Sequence, residues 1–147
     1  MIKHSGSLDI DQPQEVVAAF FADSRNLHKW QDGFVSKELL SGTEGQAGAV
    51  SRLYYKFGGR EMIMKETITS SQLPHTFEAI YEHKHMDNTM KCSFTALSDS
   101  STRYDYEYAY TRMSWVMPRL MAILFPGMYR KQGDKWMQQF KAAVENQ

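Results

Sequence analysis

The chain opens on an alternation. Ile2, His4, Leu8 and Ile10 share one phase, and Lys3, Ser5, Ser7 and Asp9 take the other. A two-residue period is that of a strand with one buried face. The period then lengthens. Asp11, Pro13 and Gln14 precede an apolar run, which reads as a capping box with proline in the first turn. It predicts a helix over residues 13–22 that buries Val16, Val17, Phe20 and Phe21. Asp23 or Ser24 caps a second short helix ending near Trp30, and Gln31, Asp32 and Gly33 break it.

Six strand-like segments follow. Residues 34–40 form the first, closed by a glycine-bearing turn. Residues 49–57 place Leu53, Tyr55 and Phe57 on one side, and Gly58-Gly59 marks a two-residue hairpin. Residues 60–70 carry Met62, Met64, Glu66 and Ile68 in phase. Residues 76–84 carry Phe77, Ala79, Tyr81 and His83 together, and Asp87-Asn88 is a second hairpin signal. Residues 89–97 align Met90, Cys92, Phe94 and Ala96, and residues 103–111 set Tyr104, Tyr106, Tyr108 and Tyr110 opposite Arg103, Asp105 and Glu107. Strict alternation of this kind belongs to antiparallel sheets with one wet face.

The helical period returns at the end. Over residues 127–145, Tyr129, Gly133, Trp136, Phe140, Ala143 and Val144 recur at steps of three and four. One long amphipathic helix and one large sheet must bury their apolar faces on each other, an α+β arrangement. Before the helix, residues 113–125 are strongly apolar and end at Pro126-Gly127. They read as a short apolar helix, and the Pro-Gly pair as a hinge that lets it act as a gate over a pocket mouth.

At 147 residues the chain reads as one domain, residues 1–147, with enough length for a real core. Seventeen Lys and Arg balance seventeen Asp and Glu. That balance argues against a nucleic-acid partner and against a polybasic membrane anchor. No apolar run is long enough to span a bilayer, the first residues show no signal peptide, and a cytoplasmic location is the expectation. A lone Cys92 excludes an intrachain disulfide and a cysteine-cluster zinc site. Ten methionines and 13% aromatic residues suit an adaptable apolar binding surface.

The order strand, two short helices, six strands, long helix resembles the helix-grip fold of the START and Bet v 1-like superfamily, which includes polyketide cyclases. The residues that carry the resemblance are Ile10 to Trp30, Gly48 opening a strand after a glycine-rich turn, and Lys135 to Glu145. It implies a seven-stranded sheet curled around the terminal helix, with a cavity between them. Members bind sterols, lipids, hormones and polyketides, and some act on them. Such a family shares its fold more than its reaction.

Candidate chemistry follows the strand phases. A cavity in this position would be lined on the sheet side by Tyr55, Phe57, Met62, Met64, Phe77, Tyr81, Met90, Phe94, Tyr106 and Tyr108. On the helical side it would be lined by Trp115, Leu120, Met121, Leu124, Met128, Tyr129, Gly133, Trp136 and Phe140, with Gly133 leaving room. The four tyrosines of one strand face make either a polar-tipped wall or a satisfied aromatic core. Glu66 is the carboxylate in phase with an apolar face. Buried, it would serve as a general acid or base; the plainer alternatives are an ion pair with a nearby Lys or Arg, or a register bulge that puts it outside. His83, His85 and His4 supply three imidazoles, but no spacing joins them into a metal site. Cys92 reads as an inert buried thiol. The motifs of serine hydrolases, zinc proteases, phosphate-binding loops and dithiol redox proteins do not occur. No metal and no cofactor is expected.

These readings favour a non-catalytic binder or carrier of a small hydrophobic or aromatic molecule, as a monomer or homodimer. The first alternative is a cyclase- or dehydratase-type enzyme acting on a polyketide-like or lipid-like substrate, with Glu66, His83 and a tyrosine moving protons. The second is a protein-interaction module that exposes Leu120, Ile123, Leu124 and Phe125.

Overall fold

The computed structural model describes residues 2–113 and 126–147. Strand β1 (Ile2–Ile10) leads into helix α1 (Gln14–Ala22), a 3-10 turn (Ser24–Asn26) and helix α2 (Leu27–Trp30). Six strands follow: β2 (Phe34–Ser41), β3 (Val50–Phe57), β4 (Arg60–Gln72), β5 (Thr76–Glu82), β6 (Met86–Ser98) and β7 (Ser101–Met113). The chain ends in the long helix α3 (Pro126–Glu145). The sheet order is β1-β7-β6-β5-β4-β3-β2, antiparallel throughout. This is the helix-grip architecture that the order of elements implies.

The turns follow local chemistry in most places. Gly58 takes φ 62 in the two-residue reversal that pairs Phe57 with Arg60. Gly48, at φ 90, donates its N–H to the Ile68 carbonyl at 2.7 Å and so opens β3 against β4. Asp23 caps the 3-10 turn by accepting from the Arg25 amide at 2.9 Å.

Tertiary partners overrule two of the local signals. No capping box forms at α1: the N-cap is Pro13, without a side-chain bond. Gln14 instead donates from Nε2 to the Phe94 carbonyl at 2.7 Å, and the Asp11 amide donates to Glu145 at 2.7 Å. Likewise Asp87 and Asn88 do not make a turn. The chain reverses over His83–Met86, and Asp87 lies within β6, held by Arg112 at 2.7 and 3.0 Å. A bidentate guanidinium clamp across β6 and β7 outweighs the turn preference of the Asp-Asn pair.

The core occupies one end of the sheet's inner face. Ile10, Val17, Phe20, Phe94, Tyr104, Phe140 and Val144 are each 0–2% exposed. Phe140 meets the rings of Phe20, Phe21, Trp30 and Tyr104 at centroid distances of 5.2–6.2 Å. Met137, 1% exposed, joins the buried stripe of α3 beside the positions that the periodicity identifies. Ala96 keeps the phase of Phe94 but is exposed, where a register shift between Ala96 and Ser98 ends the alternation. The N- and C-terminal elements are clasped: Lys141 Nζ donates to the Asp9 carbonyl, and Tyr106 donates to Asp134 at 2.9 Å. Tyr106 lies over Gly6, where even a Cβ would sit 2.3 Å from its hydroxyl.

Pro126 and Gly127 fall in the first turn of α3. The apolar segment read as a gate, with Trp115, Leu120, Met121 and Leu124, lies outside the described residues, and so do Ile123, Phe125 and the side chains of Met128 and Tyr129.

Candidate functional site

Away from the packed end, α3 and the sheet stand apart and enclose a cavity of ≈ 540 Å³. That is within the usual range for small-molecule sites, roughly 300–1,000 Å³. Its sheet wall is built from side chains on the inner phase of β3 to β7. Tyr55, Met62, Met64, Phe77, Tyr81, Met90 and Tyr108 border it, and Gly133 and Trp136 border it from α3. A Cβ at Gly133 would come within 3.3 Å of His4 Nε2, so a larger side chain there would press on β1.

Four of the expected lining residues stand elsewhere. Phe94 and Phe140 belong to the packed core, where Phe94 stacks on Tyr104 at 5.0 Å. Tyr106 turns across Gly6 to reach Asp134. Phe57 is 39% exposed and stacks on Tyr55 from outside, its ring filling the space that a Cβ on Gly33 would need.

The strand registers add what phase alone does not contain. Ser51 pairs with Glu66, Glu66 with Tyr81, Tyr81 with Asn88, and Asn88 with Tyr110. These residues form one polar row across five adjacent strands, with directly opposed Cβ atoms about 4.5–5.5 Å apart. The neighbouring row is Ile68, Ala79, Met90, Tyr108 and His4. The wall is therefore an apolar surface crossed by a band of hydroxyl, carboxylate and amide groups.

Glu66 is the centre of that band. It is 7% exposed and borders the cavity. Its Oε2 accepts from the Tyr81 hydroxyl at 2.8 Å, and its Oε1 lies 3.3 Å from Lys37 Nζ. The carboxylate is thus both buried and paired with Lys37. Lys37 also lies 3.0 Å from Glu44 and donates to Ser24 Oγ at 3.3 Å, while Ser24 donates to Glu44 at 2.9 Å. These contacts tie β2, the β2–β3 loop and the 3-10 turn between α1 and α2 into one rim. Tyr55 donates to Gln31 Oε1 at 2.7 Å on the same rim.

His83 borders the cavity next to Tyr81, and His85 lies beside it at a centroid distance of 6.0 Å. Burial and then the His85 charge hold the His83 pKa below its usual 6.5. His4, 8% exposed, is stacked against Tyr108 and faces Asp134 at 3.4 Å, on another element from His83. Among the described residues no three His, Cys, Asp or Glu side chains are grouped to hold a metal ion. Burial pushes the Cys92 thiol up to about 12, the behaviour of an inert buried thiol.

Burial also raises the phenol pKa of Tyr55, Tyr81, Tyr104 and Tyr108 above 10.0, and the Glu66 charge adds to the effect at Tyr55 and Tyr81. The unfolded chain gives up these protons near pH 10 while the folded chain keeps them, so stability is complete below pH 10 and lost above it. Stability should be flat to about pH 9 and then fall by up to about 1.4 kcal/mol per pH unit for each such tyrosine. Urea midpoints between about pH 8 and pH 11 check this; a flat profile to pH 11 would refute it.

Residues 1–145 match the family model described as polyketide cyclase / dehydrase and lipid transport. The chain belongs to this family. Solved structures share the fold at low identity. The Zhui aromatase/cyclase from Streptomyces sp. R1128 aligns over 98% of this chain and 93% of its own, with 10% identity and a TM-score of 0.80. A START superfamily protein from Mycobacterium smegmatis aligns over 98% and 94%, with 13% identity and a TM-score of 0.74. Ara h 8.0201 covers 99% both ways at 10% identity and a TM-score of 0.76. No curated protein matches the sequence. The solved structures share the fold of this family, and among the described residues no helix is long and apolar enough to cross a membrane.

Sequence phase finds Glu66, the tyrosines and the methionines of the wall. It misses Lys37, Ser24 and Glu44, which reach the rim from an edge strand, the 3-10 turn and a loop. The weak signal for Lys37 is that it stands among Val35, Leu39 and Leu40 in a strand whose alternation is broken.

Proposed function

We propose that the protein binds or carries a small hydrophobic or aromatic molecule in the cavity between α3 and the sheet. The observation that supports this is a hollow of ≈ 540 Å³ whose wall is mostly methionine, leucine and aromatic side chains, crossed by one polar row. Apolar walls supply affinity by burial, and a few placed polar groups set orientation. Phe57, Phe94, Tyr106 and Phe140 stand off the wall, and Phe57 backs it by stacking on Tyr55.

A neutral dye such as N-phenyl-1-naphthylamine should bind with enhanced fluorescence. Leu53→Trp, which places a bulkier side chain at a buried wall position, should weaken it at least about tenfold, the loss of about 1.4 kcal/mol of contact. Absence of dye binding, together with no small molecule retained in native mass spectrometry, would sink the reading.

A second reading is cyclase- or dehydratase-type catalysis. What supports it is that Glu66, its partner Tyr81, and His83 share one cavity wall. A carboxylate and a phenol in hydrogen-bond contact are able to pass a proton to and from a bound carbonyl compound. The two readings separate on the molecule recovered from the protein: a carrier returns it unchanged after incubation, an enzyme returns it altered.

A further inference from the structure

We infer, resting on the cavity reading above, that the ligand presents a hydrogen-bond donor to Glu66 — a phenol, an alcohol or a protonated amine — and that the cavity turns carboxylates away. The basis is a count of donors and acceptors around the rim.

An ammonium has three N–H groups. Lys37 Nζ faces three acceptors: Ser24 Oγ at 3.3 Å, Glu44 Oε1 at 3.0 Å and Glu66 Oε1 at 3.3 Å. Its charge is therefore engaged by two carboxylates within the protein. Among the described residues, the buried polar groups of the wall without a hydrogen-bond partner include the neutral indole N–H groups of Trp30 and Trp136 and the His4 ring nitrogens. The Tyr81 hydroxyl is spent on Glu66 and the Tyr55 hydroxyl on Gln31. Both phenols keep acceptor capacity on oxygen.

Glu66 has the opposite balance. A carboxylate has about four acceptor sites. Lys37 uses one at Oε1 and Tyr81 one at Oε2. The remaining acceptor capacity sits on a carboxylate only 7% exposed, at the cavity wall, with one protein partner on each oxygen. A ligand hydroxyl or ammonium meets it directly.

The charges agree with the count. Among the described residues, Lys37 is the only Lys or Arg on the wall, against two carboxylates, Glu44 and Glu66. With histidines neutral the wall carries a net charge of one negative unit. A carboxylate ligand would lose its hydration, meet that charge, and find no free cation to replace the water.

Three matched probes test the inference on the intact protein by calorimetry near pH 7.5, about where a naphthol is neutral and a naphthoate ionised: 2-naphthol, 2-methoxynaphthalene and 2-naphthoate. The expected order has 2-naphthol about tenfold tighter than the ether, as a hydrogen bond to a charged acceptor allows. The naphthoate should be weaker than both. In Glu66→Gln the naphthol advantage should shrink to about threefold or less, as a charge-assisted bond becomes a neutral one. Glu44→Gln, a change at the half-exposed end of the rim, should raise naphthoate affinity.

Naphthoate binding equal to or tighter than naphthol in the wild-type protein would overturn the inference, and so would equal binding of all three. Either result would leave the cavity reading standing. Failure of all three probes and of the neutral dye would overturn both. The wild-type order decides the matter even where a variant folds poorly.

Discussion

Phe140→Ala should cost about 3–4 kcal/mol of stability and lower the melting temperature by roughly 10 °C. Phe140 is 1% exposed and touches four rings from α1, α2 and β7. Its removal takes away one large buried side chain and leaves a hole that four stiff aromatic neighbours are unable to close. The cost should therefore include a full cavity contribution beyond simple transfer. Phe57→Ala is the control, with an expected cost under about 1 kcal/mol, because that ring is 39% exposed. Phe140 is also off the cavity wall, so ligand binding well below the melting range should survive. Urea titrations of both variants check the contrast; a Phe140→Ala loss below about 1.5 kcal/mol would mean the core collapses onto the gap.

Lys37→Met should cost about 3 kcal/mol. The change keeps much of the aliphatic stem and removes the ammonium from between Glu44 and Glu66. Glu44 is half-exposed and loses little, whereas the side chain of Glu66 is 9% exposed and keeps a charge with no counter-ion. Stranding a buried charge is far costlier than deleting both partners. The double variant Lys37→Met/Glu66→Gln should recover most of the loss, since the amide is neutral and still accepts from Tyr81. A double-mutant cycle in denaturant measures this. If Lys37→Met falls within about 1 kcal/mol of wild type, the pair behaves as an exposed ion pair and Glu66 is better hydrated than its surroundings imply.

Glu66 shows where sequence reasoning succeeds. Its phase with Met64 and Ile68 decides which face it takes, because a strand has only two. The same holds for the tyrosines of β7 and the stripe of α3. What phase does not contain is register. Ser51, Glu66, Tyr81, Asn88 and Tyr110 become neighbours only through four separate strand pairings, each set by turns and bulges far from the row itself. Lys37 is harder still. It sits on edge strand β2, where register shifts between Phe34 and Ser36 and between Leu39 and Ser41 break the two-residue period. Asp87-Asn88 and the Asp11-Gln14 cap fail for another reason. Arg112, Phe94 and Glu145, distant in sequence, offer those groups better partners than their neighbours do.

The clasp between β1 and α3 bears on how the chain acquires its shape. β1 has one strand neighbour, β7, and its end is tied to Glu145 and Lys141 across sequence separations of 134 and 132 residues. Contacts that span such distances close late, after most of the loop entropy has been spent, and they slow folding. On the ribosome the first strand must wait, unpaired and with an apolar face, until β7 and then the residues up to Glu145 have emerged. The hollow end of the sheet is unroofed throughout that wait. The nascent chain thus passes through a long interval in which its binding surface is exposed before it is a binding site, when it is most open to chaperones and to association with other chains.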